Sequence, residues 1–223
     1  MKTVQPLFFI LFVTTVFHTA VSQAGSVGSV VPTNPDTTQH YLFYMHGGYV
    51  EKRGADGDYR YNDILQALSE QNLNVIGEAR GPTRLSDYAL KIKTQVQSLI
   101  SAGVPADHIT VAGHSKGGML TLYAAAAIDN PEVRYAIFAA CGLPNTRFQK
   151  PYQRFVRSTA ENLKGKFLVA WEASDDVAKD CDKAFRKARV SAHNVELTTG
   201  GGHRLFYKPD PAWIDMLAGF AQR

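Results

Sequence analysis

Beyond its first two dozen residues the 223-residue sequence has no apolar run long enough to span a bilayer, which takes about 20 residues. Its seven histidines show no H-E-x-x-H or comparable ligand spacing, so no metal and no organic cofactor is implied. No internal repeat is present. Nor is there a dense basic stretch: the 24 Lys and Arg exceed the 20 Asp and Glu by a net +4, and Lys2 supplies one of those positives. The densest charged segment, KDCDKAFRKAR at 179–189, alternates in sign and reads as the wet face of a helix, which argues against nucleic acid as a partner. Cysteine is scarce, with Cys141 and Cys181 alone.

What remains is an ordinary globular composition, 45% hydrophobic and 20% charged, long enough for one sizeable core and short for two domains. The opening MKTVQPLFFILFVTTVFHTAVSQAG stands apart. A lysine, a short uncharged apolar stretch from Leu7 to Phe17, and small residues at Ala20, Ser22 and Ala24 follow one another in the order of a secretory signal peptide. Residues 1–24 are therefore read as that signal, with cleavage after Ser22 or Ala24. The mature chain is expected to be secreted or periplasmic/lumenal, with no stable membrane span. Residues 25–39, GSVGSVVPTNPDTTQ, read as a flexible arm.

From residue 40 to 223, short apolar runs alternate with amphipathic segments. The runs are YLFYM (41–45), LNVIG (73–77), ITVAG (109–113), YAIFAA (135–140), FLVAW (167–171) and VELT (195–198). They are β-branched or aromatic and mostly do not alternate with polar residues, as strands buried on both faces do not. Between them, Tyr61, Ile64, Leu65 and Leu68 share a helical face. So do Leu85, Tyr88, Ile92, Val96 and Leu99; Val177, Cys181, Ala184, Phe185 and Ala188; and Trp213, Ile214, Leu217 and Phe220. The fold class predicted is α/β: a three-layer α/β/α sandwich on a mostly parallel sheet of about six strands.

Ligands bind such sheets at the carboxyl ends of the strands. His46-Gly47-Gly48-Tyr49 follows the first run. Gly113-His114-Ser115-Lys116-Gly117-Gly118 follows the third and leads into a helical stretch. Asp175 and Asp176 follow the fifth, and His203 in TTGGGHRLFY follows the last. A Gly-x-Ser-x-Gly in a strand-to-helix turn, then Asp, then His, resembles the α/β-hydrolase superfamily over residues 40–220, in a small form without a large cap domain.

The resemblance implies Ser115 as nucleophile, His203 as general base and acid, and Asp175 as the orienting acid, with Asp176 as the alternative and Glu172 a distant third. It implies an oxyanion hole from the Lys116 amide and the Gly48 amide, with Tyr49 in place of Gly48 as the alternative. The bland reading of Ser115 is a helix N-cap, and Asp176 could likewise cap the helix after it. The expected substrate is a small-molecule carboxylic ester or related acyl compound. A thioesterase or acyltransferase of the same fold, and a non-catalytic secreted binding protein, are the other readings. Oligomeric state is not implied.

His46 and His114 read as structural. Arg80 and Arg84 read as surface residues, with reach to an anionic substrate as the alternative. Phe148, Tyr152, Phe155 and Val156 read as a short packed helix or a small aromatic flap beside Ser115. Cys141 ends the fourth run and Cys181 opens the helix after the fifth. Adjacent parallel strands bring these ends together, predicting a disulfide that braces the Asp175 loop, although two separate buried thiols are the other reading, since Cys181 sits on an apolar helical face.

Overall fold

A computed structural model of the chain describes residues 25–223, so the signal expected over 1–24 lies outside the described residues. Each apolar run forms a strand. In chain order these are β2 (Tyr41–Met45), β3 (Asn74–Ile76), β4 (Ile109–His114), β5 (Arg134–Phe138), β7 (Lys166–Glu172) and β9 (His193–Leu197), preceded by a short β1 (Val27–Gly28). They form one sheet in the order β1-β3-β2-β4-β5-β7-β9, and every neighbouring pair is parallel. Two further short strands, β6 (Cys141–Gly142) and β8 (Ala178–Lys179), pair antiparallel outside it.

The sheet has seven strands where the apolar runs predict about six. The seventh comes from the segment read as a loose arm: Val27 and Gly28 pair with Val75 and Ile76, and the Gly25 amide donates to the Ser69 carbonyl. A two-residue strand carries too little apolar sequence to register as a run. β2, β4 and β5 are buried along their whole length, as covering on both faces requires. β9 is the opposite: His193, Asn194 and Glu196 are exposed, and a polar, partly charged edge resists pairing with another chain.

Among the described residues seven α-helices cover the sheet: α1 (Val50–Arg53), α2 (Tyr61–Ser69), α3 (Leu85–Ser101), α4 (Lys116–Ile128), α5 (Gln149–Ser158), α6 (Asp182–Ala188) and α7 (Pro211–Ala221). On one face Tyr41, Phe43 and Met45 of β2 share a core with α3, α4, α5 and α6. On the other, Leu42 and Tyr44 of the same strand pack with α2 and α7. This is the three-layer sandwich the patterning predicts. One segment differs: the face beginning at Val177 is helical only from Asp182, because Ala178 and Lys179 are drawn into β8.

The chain passes from β2 to β3 on one side, then from β3 to β4 on the other. The carboxyl ends of β2 and β4 therefore open a crevice where the winding reverses, the usual ligand position in such sheets. Cys141 and Cys181 form a disulfide, Cα atoms 5.2 Å apart, that closes a 40-residue separation beside the β6–β8 pair. On the chain-entropy account a loop of that length contributes about 4 kcal/mol. Two measurements check this. Thiol titration of the denatured, unreduced protein is expected to find no free thiol, and the Cys141→Ser/Cys181→Ser double variant should lose about 4 kcal/mol in urea unfolding.

Candidate active site

β4 pairs with β2 in a register that sets Met45 opposite Gly113, and the chain then turns sharply into α4. The turn passes so close to β2 that a Cβ on Gly117 would lie 1.9 Å from the Met45 carbonyl oxygen, so only glycine fits. At the apex Ser115 takes φ 58° and ψ −116°, a conformation costly for a residue with a side chain. Its amide donates to the Phe138 carbonyl at 2.9 Å, and its own carbonyl accepts from the Met119 amide at 3.0 Å, so the surroundings hold the strain. Ser115 occupies the N-cap position of α4 but makes no capping hydrogen bond there. Its hydroxyl instead lies 3.1 Å from His203 Nε2.

His203 sits in a 3₁₀ turn, Gly202–Tyr207, and its Nδ1 lies 2.8 Å from Asp175 Oδ2. The His203 side chain is 11% exposed and that of Asp175 is fully buried. Asp175 Oδ1 accepts from the amides of Val177 and Ala178 at 2.9 and 3.1 Å. Both of its oxygens are thus committed, and Nδ1–H is the donor to Oδ2, which leaves Nε2 free to accept from Ser115 Oγ–H. Asp176 is exposed, and the N-cap of the following helix is Cys181, so neither role considered for Asp176 is realised. The disulfide and the β6–β8 pair lie directly beyond Ala178 and hold this loop against the sheet.

Glu172 has a different place from the one its proximity to the fifth run suggests. Its buried carboxylate accepts from the Ser174 hydroxyl, the Ser174 amide at 2.7 Å, and the Gly200 and Gly202 amides at 2.9 and 3.0 Å. The Ser174 hydroxyl above all, then these amides, hold its carboxyl down at about 2. Glu172 thus ties the end of β7 to the loop that carries His203. The signal for it in the sequence is a glutamate ending a strand that is otherwise apolar.

On the other side of Ser115, a Cβ built on Gly48 would lie 3.8 Å from Lys116 Cβ, so the loop after β2 faces the first residue of α4. The Lys116 amide opens that helix and has no acceptor one turn back. Two ion pairs, one buried and one partly buried, lock the facing segments together. Glu51 in α1 meets Lys116 Nζ at 2.8 Å and Arg80 Nη2 at 3.2 Å, with the Arg80 and Glu51 side chains 3% and 6% exposed. Arg80 Nη2 also donates to the His46 carbonyl at 2.6 Å. The sequence reading of Arg80 as a surface residue is therefore incorrect: it is the interior clamp of the loop after β2, whereas Arg84 is exposed. Nothing in a lone Glu51 or Arg80 foretells this, because the two meet only through the β2–β3 pairing.

His46 and His114 are both fully buried. His46 Nδ1–H donates to the Gly47 carbonyl at 2.8 Å and its Nε2 accepts from the Arg80 amide at 2.9 Å, so the ring is used as a neutral connector. Burial, and then the nearby Arg80 charge, push its pKa down to about 3. His114 is likewise held neutral by burial above all, and its ring lies 4.7 Å from that of His203, whose positive form would repel a proton there.

A cleft of about 440 Å³ opens over Ser115. Met119, Leu85, Phe148 and Pro151 give it apolar walls. The Phe148 ring stacks 5.5 Å from His203, whereas Tyr152 and Phe155 are buried in the core beneath α5. The segment after the fourth run is thus a packed helix that meets the cleft only at its start, through Arg147, Phe148 and Pro151.

A family profile described as Phospholipase/Carboxylesterase matches residues 79–163, the stretch that contains Ser115 and α4. No curated protein matches the chain in sequence. Among solved structures, SOBER1 of Arabidopsis thaliana superposes with a TM-score of 0.56 at 12% identity, covering 83% of this chain and 98% of that one. Dipeptidyl peptidase 4 of Porphyromonas gingivalis gives 0.56 at 16% identity, over 86% of this chain and 32% of its own. The propionate-bound thermophilic esterase Est2 of Thermogutta terrifontis gives 0.51 at 13%, over 86% of each.

The buried charges and rings generate two predictions. Glu51→Gln leaves Arg80 buried without its carboxylate, which should cost about 3 kcal/mol and lower Tm by roughly 6–12 °C in a thermal melt. The second concerns pH. Unfolded His46 titrates at its ordinary 6.5 but the folded ring resists protonation down to about 3, so between these values the unfolded state binds more protons. Stability is then full above 6.5 and falls as pH drops toward 3. Glu172, with its ordinary 4.5 lowered to about 2, adds a second loss over that lower window. His46→Gln, which keeps an acceptor for the Arg80 amide, is expected to make the Tm profile shallower from pH 6.5 down to about 3, leaving the losses that come from His114 over the same range and from Glu172 below 4.5.

Proposed function

We propose that this chain, a member of the α/β-hydrolase superfamily similar to carboxylesterases, hydrolyses carboxylic esters of small molecules through an acyl-enzyme on Ser115. The observation that carries the reading is the unbroken hydrogen-bonded series Asp175 Oδ2, His203, Ser115 Oγ, with links of 2.8 and 3.1 Å, at the floor of a cleft. The family profile spanning Ser115 supports it.

In the first half-reaction His203 Nε2 takes the hydroxyl proton as Ser115 Oγ bonds to the ester carbonyl carbon. The carbonyl oxygen becomes an oxyanion, and the Lys116 amide with that of Gly48 (Tyr49 is the alternative) donates to it. Asp175 keeps the imidazole oriented and stabilises the imidazolium. Collapse breaks the bond to the alcohol oxygen, which leaves with the proton from Nε2. A water molecule then repeats the sequence on the acyl-enzyme: His203 takes its proton, the acid is released, and Ser115 recovers its hydrogen. The Glu51–Arg80–Lys116 cluster serves by holding the two donor segments at a fixed separation.

A thioester or an acyl-acceptor other than water would use the same groups, and no feature of the cleft favours either over an ester. A binding protein of this fold would need neither the strained Ser115 backbone nor the committed Asp175. The disulfide supports an oxidising compartment and hence export under a signal peptide.

Labelling by a fluorophosphonate probe, together with hydrolysis of short p-nitrophenyl esters, tests the reading. Wild type should be labelled at Ser115 and turn over, and Ser115→Ala should do neither. Asp175→Asn should lower kcat by roughly 10³–10⁴-fold, and Asp176→Asn by less than about twofold. An unlabelled wild-type protein with intact fold would leave the binding-protein reading.

A further inference from the structure

The cleft over Ser115 is apolar in its walls and positive at its rim. Lys52, Lys116 and Arg147 all line it, and Glu51 is the one carboxylate that does. That carboxylate is already engaged by Lys116 and by buried Arg80. Lys52 and Arg147 are exposed and form no ion pair among the described residues. They come from two separate elements, α1 and the segment ahead of α5. Arg147 is also held in place: its guanidinium lies 4.8 Å over the Phe148 ring, which itself stacks on His203. The cation is therefore one aromatic ring removed from the catalytic base, a pre-arranged position rather than a free surface arm.

We infer that the cleft takes esters that carry an anionic group, a carboxylate or a phosphate, beyond a short apolar segment, with Lys52 and Arg147 as its ionic contacts. The inference rests on the reading of Ser115 as nucleophile and names the substrate class of that site. The apolar segment would lie against Met119, Leu85 and Phe148, while the anion meets the two cations where the cleft opens to solvent. A neutral ester gains only the apolar contacts. A cationic one is repelled by a rim whose sole carboxylate is taken. Arg147 offers a planar fork suited to either oxyanion, and Lys52 a point charge.

The test compares p-nitrophenyl hydrogen adipate with its neutral methyl ester, and both with a phosphate-bearing ester of the same length. For wild type at low salt, kcat/KM for the anionic esters is expected to exceed that of the neutral one at least about tenfold, the gap narrowing as sodium chloride rises to roughly 0.5 M. The Lys52→Gln/Arg147→Gln double variant should bring the ratio close to one. Lys93→Gln, which removes a cation about 12 Å further along α3 than Leu85, should keep it.

The better of the two anionic esters identifies the anion. A wild-type ratio near or below one overturns the inference, and a high ratio that survives in the double variant overturns the assignment to Lys52 and Arg147. Calorimetric binding of the corresponding amides to Ser115→Ala reads the same preference without turnover. A protein that neither hydrolyses nor is labelled but still binds the anionic amide more tightly would therefore refute the nucleophile and not the anion site. A labelled protein that hydrolyses all three esters alike would do the reverse.

Discussion

The first turn of α4 lies directly on the end of β2. Gly117 is so near the Met45 and His46 carbonyls that no side chain could stand there, and this contact aims the apex of the turn outward with Ser115 upon it. The approach is a consequence of the sheet. β2 and β4 are central neighbours in parallel register, and their connections leave in opposite directions, so the two carboxyl ends share a crevice that neither connection fills. Ser115 is strained within this arrangement, and the strain is affordable because β5 takes its amide and α4 takes its carbonyl. Loosening the β2–β4 approach would relax the serine and separate it from the loop after β2 in a single movement.

Three carboxylates then divide the remaining work by what each one accepts. Asp175 takes two amides on one oxygen and the His203 ring on the other, so it fixes both its own loop and the tautomer of that ring. Glu172, three residues earlier, takes amides from the loop that carries His203 and never meets the ring. Glu51 joins α1 to α4 through Lys116 and to the loop after β3 through Arg80. The first two hold His203 from the β7 side. The third holds the opposite wall, so the serine stands between two separately anchored loops, each tied by buried charge instead of by apolar packing. Buried carboxylates of this kind cost free energy when a partner is lost, which makes the site less tolerant of substitution than the surrounding core.

Much of this was legible in the sequence. The apolar runs mark the strands, and the strand ends hold Ser115, Asp175 and His203, which the fold brings into one hydrogen-bonded series, because buried strands and turn residues are local signals that survive in one dimension. What escaped is of two kinds. β1 is two residues long, and its pairing to Val75 and Ile76 depends on a partner strand 48 residues away. Glu51 and Arg80 carry no local pattern at all, and Glu172 only that of a glutamate closing an apolar run. A lone arginine after a strand looks like a surface residue until the register of β2 and β3 brings it under the His46 carbonyl. The same holds for Val177, whose helical spacing was genuine but whose carbonyl is claimed by the Leu143 amide beside the β6–β8 pair. Short-range periodicity yields wherever a long-range hydrogen bond offers the backbone a better partner.

That β6–β8 pair also accounts for how the short segment after β5 walls one side of the cleft. The segment from Cys141 to Lys166 is long enough only for α5 and one 3₁₀ turn, and α5 buries Tyr152 and Phe155 downward, leaving Phe148 at the cleft. A short wall of this kind would move with its loop if it were attached only at its ends. The disulfide at Cys141 and the hydrogen bond from Leu143 to Val177 fix its start to the loop that carries Asp175. Wall, Asp175 and His203 then form one body: Phe148 stacks on His203, His203 bonds to Asp175, and Asp175 sits on the loop pinned to the residues just ahead of Phe148. The cleft keeps a defined shape on this side because a closed loop of contacts runs through Phe148, His203 and Asp175.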